Sequence, residues 1–387
     1  MKNILLTSTA LVAFAGAAVA DGHTSVTHVL GATLGFTKND NVGSADLAAA
    51  NVGNNFGEDG FFWEGNLKTT ATSALDNGLT AKGYFEITIA EDDGVANSDG
   101  GNALAASDFV LSLESDSASL FLGDTETAAA TRWKSAGDME ADFFSSGLDS
   151  SVLRGDVSLF GVDASLSYIV DDASNTAEQL SFGAAATFGP VSLTAAYQEE
   201  SETYVDTSGD FNAKAVMGVS ASGTFANATV TLAYAATTAT VTGEDDKTSI
   251  GGKISYPLGP VTLTGYFVQE AGGDATATTF EKPNYGVNVA YASGPISVKV
   301  DYQDDQETAK YAVDATYDLG NGLSILAGAL NENEGDDVDF YAGGKFALGA
   351  GATASVVYAA DKDGDQADEI AGGEFDAGIT VKVDFTF

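Results

Sequence analysis

The chain has 387 residues, no cysteine and five prolines, and its 56 acidic residues against 16 basic ones give a formal charge of −40. So acidic a surface excludes nucleic acid as a partner, because phosphates would be repelled rather than neutralised. Without cysteine there are no disulfides and no cysteine–histidine zinc set, and regular apolar alternation argues against disorder despite the charge.

In chain order, the first element is a targeting segment. Lys2 is followed by an apolar run from Ile4 to Val19 that closes on Ala18-Val19-Ala20, which predicts a signal peptide spanning 1–20, cleaved before Asp21. The run is too short and too Ala-rich for a membrane-spanning helix, and nothing later in the chain qualifies as one. No linker interrupts the remainder, so 21–387 reads as one domain.

Alternating apolar and polar segments then recur, joined at one rim by tight turns and at the other by longer acidic loops. The turns are Asp76-Asn77-Gly78, Ser115-Asp116-Ser117, Phe160-Gly161, Gly189-Pro190 and Ala226-Asn227, followed by Gly259-Pro260, Ser293-Gly294-Pro295, Gly320-Asn321-Gly322 and Gly349-Ala350-Gly351. Glu91 to Ser107, Glu199 to Asn212 and Asp361 to Glu369 are examples of the longer connections. This asymmetry is that of outer-membrane barrels. Nine turns with a first and a last strand make 20 strands, and one or two misread turns would leave 16 or 18. The predicted fold is all-β, a closed antiparallel transmembrane β-barrel.

Where the cations fall tests that prediction. Strand side chains alternate between faces. By parity, Lys68, Lys82, Arg154, Lys214, Lys253, Lys299, Lys310, Lys345 and Lys382 all take the polar face. Lipid would penalise each cation on the other face by a few kcal/mol at mid-depth. Aromatics on the apolar parity form two registers. Phe188, Phe225, Tyr256, Tyr291, Tyr317 and Phe346 precede tight turns, and Tyr168, Tyr197, Tyr234, Tyr302 and Tyr358 sit at the far strand ends. The last segment, Phe375 to Phe387, alternates throughout and ends on an aromatic carboxy-terminal residue.

One connection at the long-loop rim stands apart. After Ser119-Leu120-Phe121-Leu122-Gly123-Asp124 the alternation stops until Val152, and the intervening stretch carries Trp133, Phe143 and Phe144. It also carries Asp124, Glu126, Asp138, Glu140 and Asp142 together with Arg132 and Lys134. Here the chain resembles the general porins of alphaproteobacteria, of the Rhodobacter type. The resemblance rests on Ser119 to Asp124 before a long third loop, on Tyr317-Asp318-Leu319-Gly320-Asn321-Gly322-Leu323-Ser324-Ile325 and on the terminal Phe387. It implies an outer-membrane diffusion channel for small hydrophilic solutes and ions, assembled as a homotrimer among lipid and lipopolysaccharide, with Phe387 as an assembly signal. It also implies that the third loop folds into the barrel and sets its carboxylates against basic wall residues. The only arginines are Arg132 and Arg154, so Lys68, Lys82 and Arg154 are the wall candidates. The family's usual strand number of about sixteen is lower than the turn count made here.

Opposed charges across a narrow wet pore set which ions enter, and an excess of carboxylates favours cations modestly. The competing expectation is a structural or adhesive barrel with a plugged lumen, although about twenty strands enclose more space than side chains alone fill. No cofactor is expected. Asp361-Lys362-Asp363-Gly364-Asp365 lacks the closing glutamate of an EF-hand and allows loose Ca2+ binding at most. Histidine occurs only at His23 and His28, too little for a histidine-activated serine, so no enzyme is expected.

Overall fold

A computed structural model of the chain describes residues 24–38, 60–91, 102–147, 151–171, 176–201, 211–238, 245–273, 282–331, 338–360, 375 and 377–387. The expected signal peptide, His23, the 361–369 and 332–337 acidic stretches and most of the 91–107 and 199–212 loops lie outside these residues. Strands β1 (Thr24–Lys38), β2 (Gly60–Ala74), β3 (Thr80–Glu91), β4 (Asn102–Glu114) and β5 (Ala118–Gly123) precede a long connection that holds a short helix, α1 (Ala128–Arg132). Next come β6 (Ser151–Leu159), β7 (Val162–Asp171), β8 (Thr176–Phe188), β9 (Val191–Gln198), β10 (Val216–Phe225), β11 (Ala228–Thr237) and β12 (Asp245–Leu258). The series ends with β13 (Val261–Gly273), β14 (Asn284–Ser293), β15 (Ile296–Asp305), β16 (Thr308–Gly320), β17 (Leu323–Asn331), β18 (Asp339–Gly349), β19 (Ala352–Ala360) and β20 (Gly378–Thr386).

These make a single 20-stranded antiparallel sheet in which every strand pairs with its sequence neighbours and β20 pairs with β1. The closing seam runs from Lys38↔Ile379 to Gly31↔Thr386, and the backbone of Phe387 exchanges two hydrogen bonds with Leu30, of 2.9 and 3.1 Å. No sheet edge is left, which is the condition for spanning a bilayer with strands.

All nine tight turns form where their residues predict them. At the β10–β11 turn, Ala226 and Asn227 have φ of 48° and 69°, the two left-handed residues of a type I′ hairpin. One connection at the other rim is shorter than expected. β15 and β16 are joined by Gln306-Glu307 alone, both at positive φ. Side chains from neighbouring positions stabilise it: Asn284 Oδ1 accepts from the Gln306 N–H and Asp304 Oδ1 from the Glu307 N–H, each at 3.0 Å.

The parity pattern holds with two adjustments. Lys214 lies just before β10 rather than on a strand, and β1 extends to Lys38, which falls on the apolar parity. Lys38 stands beyond Phe36 and Phe61 at the long-loop rim, where a cation reaches water. Elsewhere the apolar parity carries Leu166, Phe182, Leu232, Ile250, Phe267 and Val313 as exposed side chains, far more apolar surface than water would tolerate, and lipid is its solvent. Both aromatic registers lie on this face at the ends of the strands. Phe387 is 68% exposed and stacks on Phe385 at 5.9 Å.

Because Phe387 holds the seam through its backbone, Phe387→Ala leaves the finished barrel intact. The expected outcome is unchanged heat-modifiable gel migration of the refolded barrel, with a severalfold lower yield in the membrane during biogenesis. Equal yields would contradict the expected assembly role.

Candidate functional site

The connection between β5 and β6 starts from a glycine. Gly123 has φ of 126°, and a Cβ there would meet the Phe109 carbonyl oxygen at 2.1 Å, so only glycine lets the chain leave β5 in this direction. Asp124 fixes the exit, accepting from the Phe109 N–H through its carboxylate while its own N–H donates to the Phe109 carbonyl at 2.8 Å. Thr127 then caps α1, its Oγ1 accepting from the Ala130 N–H at 3.3 Å. The alternation analysis did not anticipate this helix. A capping threonine before Ala128-Ala129-Ala130 was the available signal.

Residues 124–147 bond to side chains on the polar parity of one strand after another. Ala128 N–H donates to Ser167 Oγ of β7 at 2.8 Å and Ala129 N–H to Ser181 Oγ of β8 at 2.7 Å. Arg132 Nε donates to Ser165 Oγ at 2.9 Å, and Ser145 N–H to Gln198 Oε1 of β9 at 2.8 Å. Ala141 N–H donates to Ser249 Oγ of β12 at 2.9 Å, and Ser249 Oγ in turn bonds the buried Glu270 carboxylate of β13. Glu140 N–H also reaches Glu270, at 3.2 Å. At the far end Asp138 accepts from Asn284 of β14 through its carbonyl at 3.2 Å and from Gln303 of β15 through its carboxylate at 2.8 Å.

This wall is shaped to receive the segment. A Cβ at Gly183 would meet the Ala128 carbonyl at 2.2 Å, one at Gly218 the Trp133 ring at 2.4 Å and one at Gly251 the Ala136 carbonyl at 2.6 Å. Apolar residues on the otherwise polar parity complete the seat. Ala233, Ala235 and Val268 pack with Ala136, Met139 and Ala141, while Ala196 and Val216 pack with Ala129 and Phe144, and Trp133 touches both groups. A second outer connection adds a clasp. Asn212 bonds Ser145 Oγ through its N–H at 2.9 Å and the Phe143 carbonyl through its amide at 2.7 Å, and the wholly buried Gln198 holds the Asn212 and Lys214 carbonyls.

The charged candidates divide into two groups. Asp138 and Glu140 come together with Asp305 of β15, with carboxylate oxygens of the three within 4.8 Å of one another. Lys310 Nζ lies 2.9 Å from Asp305. Glu126 and Lys134 are exposed on the segment. Arg154, by contrast, is 8% exposed and acts as a strut: it donates to the Glu126 carbonyl at 2.6 Å and Thr131 Oγ1 at 2.9 Å, pairs with Asp156 and lies over the Phe121 ring. Lys68 pairs with Glu86 at 3.1 Å, and Lys82, near the tight-turn rim, with Glu114 at 2.6 Å. Neither is a bare cation facing the segment. Asp305, Glu270, Asn284 and Gln303 were not singled out from sequence, although their polar parity near the long-loop ends of strands was the signal available.

Asp142 belongs to the packing rather than to the acidic group. Its carboxylate accepts from the Trp133 indole N–H at 2.8 Å. Burial pushes its carboxyl from the ordinary 3.8 up to about 6, helped by the nearby Glu140 and opposed by the Trp133 hydrogen bond.

A family model described as Gram-negative porin matches residues 7–366. Among solved structures, a five-substitution variant of the Rhodopseudomonas blastica porin is 18% identical, with a TM-score of 0.41 over 94% of this chain and 100% of that one. A triple mutant of the same porin is also 18% identical over 94% and 100% of the two chains, with a TM-score of 0.40. Among the curated proteins compared, none matches.

The Asp142 environment sets a pH dependence for the seating of the segment. A carboxyl whose folded pKa is raised favours the packed state most while protonated, so its contribution is full below about 3.8, falls between 3.8 and about 6 and is lost above. Trp133 emission in a Trp63→Phe background, with protease protection of 124–147, should follow that window in detergent. Asp142→Asn keeps an acceptor for Trp133 and should reduce the amplitude of the dependence. Identical pH profiles would refute the assignment.

Proposed function

Because this chain belongs to the Gram-negative porin family, it is a non-enzymatic outer-membrane channel for passive diffusion of solutes and ions, and we propose that residues 124–147 fold into its lumen and make it modestly cation-selective. The observation that carries this is the span of the segment's contacts. Glu126 is bonded from β6 and Asp138 from β14 and β15. Even fully extended, the chain between them covers only about 43 Å, and α1 shortens it further. Tilted strands spaced at ~4.8 Å put an arc of about 55 Å between those walls. A path inside the barrel along its inner wall, where the arc is shorter than at the strand backbones, is the one that fits the bonds to β7, β8, β12 and β13.

The charge balance favours cations along that path. The wall cations Lys68, Lys82, Lys299 and Lys382 each have a carboxylate within 3.3 Å, so much of their charge is already answered. Asp138, Glu140 and Asp305 instead gather like charges where the segment ends its crossing, with Lys310 as the neighbouring cation. Fixed charge matters within a Debye length, about 8 Å at physiological salt, so this group outweighs any charge farther from the path. Arg132 and Lys134 on the segment oppose it and make the preference modest.

We further infer a cleaved leader at 1–20, contacts with lipid and lipopolysaccharide along the aromatic registers, and assembly as a homotrimer. Outward Ala164, Ala184 and Ala195 stand in one cross-strand row, a shallow strip against which a neighbouring barrel can pack. Mass determination in mild detergent tests the trimer, and a monodisperse monomer would refute it.

The selectivity is tested by Asp138→Asn with Glu140→Gln in planar bilayers under a salt gradient. The expected result is a reversal potential moved toward anions, with a loss of about twofold in the cation-to-anion permeability ratio, because charges within ~8 Å of the path are weakly screened. Asp142 is left out since its half-buried carboxylate is held by the Trp133 indole N–H. Neutralising Asp361, Asp363 and Asp365 should move the potential less. If the second set moved it more, the constriction would lie elsewhere.

A further inference from the structure

The wall formed by β18, β19 and β20 carries a second polar constellation, removed from the seat of 124–147. Lys345 pairs in register with Ser355, and Ser355 with Lys382, so two ammonium groups flank a buried hydroxyl in one transverse row. All three have the polar parity. In the row toward the long-loop rim, β18 contributes Gly343, beside Val357 and Thr380. Val357 packs over Gly343, where a Cβ would meet its Cγ2 at 2.7 Å, and a concavity lies beside Val357 and the lysines. Its volume is about 290 Å3, and its lining includes Lys345, Ser355, Lys382, Thr353, Thr380 and Phe375. Phe375 closes the upper side, with its ring 4.7 Å from that of Tyr341 and in contact with the cluster of Tyr341, Val357 and Ala359.

The charge count specifies the ligand. Lys382 lies 3.3 Å from Asp384, a carboxylate that also accepts from Thr33 Oγ1 at 2.8 Å. Lys345 is exposed to the lumen, and among the described residues no carboxylate lies within ion-pair distance of it. The cavity thus carries two positive charges against one negative, with donor hydroxyls beneath and an aromatic and an aliphatic side chain above. An ammonium pair with flanking hydroxyls is a charge-assisted anion seat, and an aromatic ring over it adds apolar contact for the rest of the molecule. At this size the cavity takes a small ligand rather than an extended one.

We propose that this wall cavity is a low-affinity binding site for small organic monocarboxylates with an apolar or aromatic body. The carboxylate lies between Lys345 and Lys382 and the body against Phe375 and Val357. Such a site would concentrate organic anions in a lumen whose other charges disfavour them, and give them a stepping point near the tight-turn rim. It goes beyond simple diffusion and rests only on the lumen being open to solute, which the conductance in the absence of ligand measures separately.

The test is single-channel recording on the full-length protein, purified as it assembles, with benzoate as the probe and acetate and benzyl alcohol as its two halves. Benzoate should produce concentration-dependent current interruptions, with acetate and benzyl alcohol each at least about tenfold weaker, since each lacks one side of the site. Lys345→Gln and Lys382→Gln should each weaken the benzoate effect about tenfold, as expected for loss of a charge-assisted contact. Phe375→Ala should weaken benzoate and leave acetate unchanged. Lys253→Gln removes one lumen charge from β12 on another wall and should leave the benzoate response as it was. Heat-modifiable migration identifies any variant that fails to fold, and benzoate protection of Lys345 from amine acylation in the unaltered protein then supplies the reading. Equal potency of acetate and benzoate, an equal loss in Lys253→Gln and Lys345→Gln, or no protection of Lys345 would overturn the proposal.

Discussion

Hydrocarbon offers no partner to a backbone N–H or C=O, and each unpaired group would cost several kcal/mol there. Everything else in this chain follows from meeting that condition with strands. The sheet can satisfy its own edges only by closing, and the closure falls at β1 and β20, where the last residue of the chain donates and accepts backbone bonds with Leu30. Once closed, the sheet has an outside that must be apolar and an inside free to be polar. That division is what the two-residue period of the sequence encodes.

The interior is then organised by what remains exposed to water. Several wall cations sit two residues from an acid on the same strand, as in Arg154/Asp156, Lys299/Asp301 and Lys382/Asp384. That spacing puts both groups on the lumen face. Lumen charge is thereby answered locally along much of the wall, and a net charge of −40 need not mean an evenly negative pore. Where the interior is apolar instead, something covers it. Ala235, Val216 and Val268 lie beneath residues 124–147, and Val357 and Ala359 lie beneath Tyr341 and Phe375. At these two places apolar residues on the lumen parity mark where a segment is held against the wall.

Much of the fold was legible because period-two alternation and hairpin turn chemistry are local signals. Ala226-Asn227 or Gly320-Asn321-Gly322 needs no knowledge of the rest of the chain to be read as a turn. The Gln306-Glu307 turn was not legible because its stabilising acceptors include Asn284, more than twenty residues away in sequence. The site was legible as a segment but not as a set of roles. Composition identified the acids between Asp124 and Asp142, whereas their separation into Asp124 at the β5 exit, Asp142 bonded to Trp133 and Asp138 with Glu140 beside Asp305 depends on tertiary contacts. Arg154 shows the same limit. Parity assigned its face correctly, but only its bonds to Glu126 and Thr131 distinguish a strut from a pore-lining cation.

The seat of residues 124–147 also explains why glycine is used on the lumen face of strands that would otherwise favour bulkier residues. Gly183, Gly218 and Gly251 lie on alternate strands β8, β10 and β12, each under a different part of the segment. A side chain at any of them would push the backbone of the segment, or Trp133, away from the wall. Their spacing over alternate strands matches a segment that crosses the strands rather than following one. A segment held against the wall thus imposes a sequence requirement on it, and polar-parity glycines on alternate strands locate its path independently of its own composition.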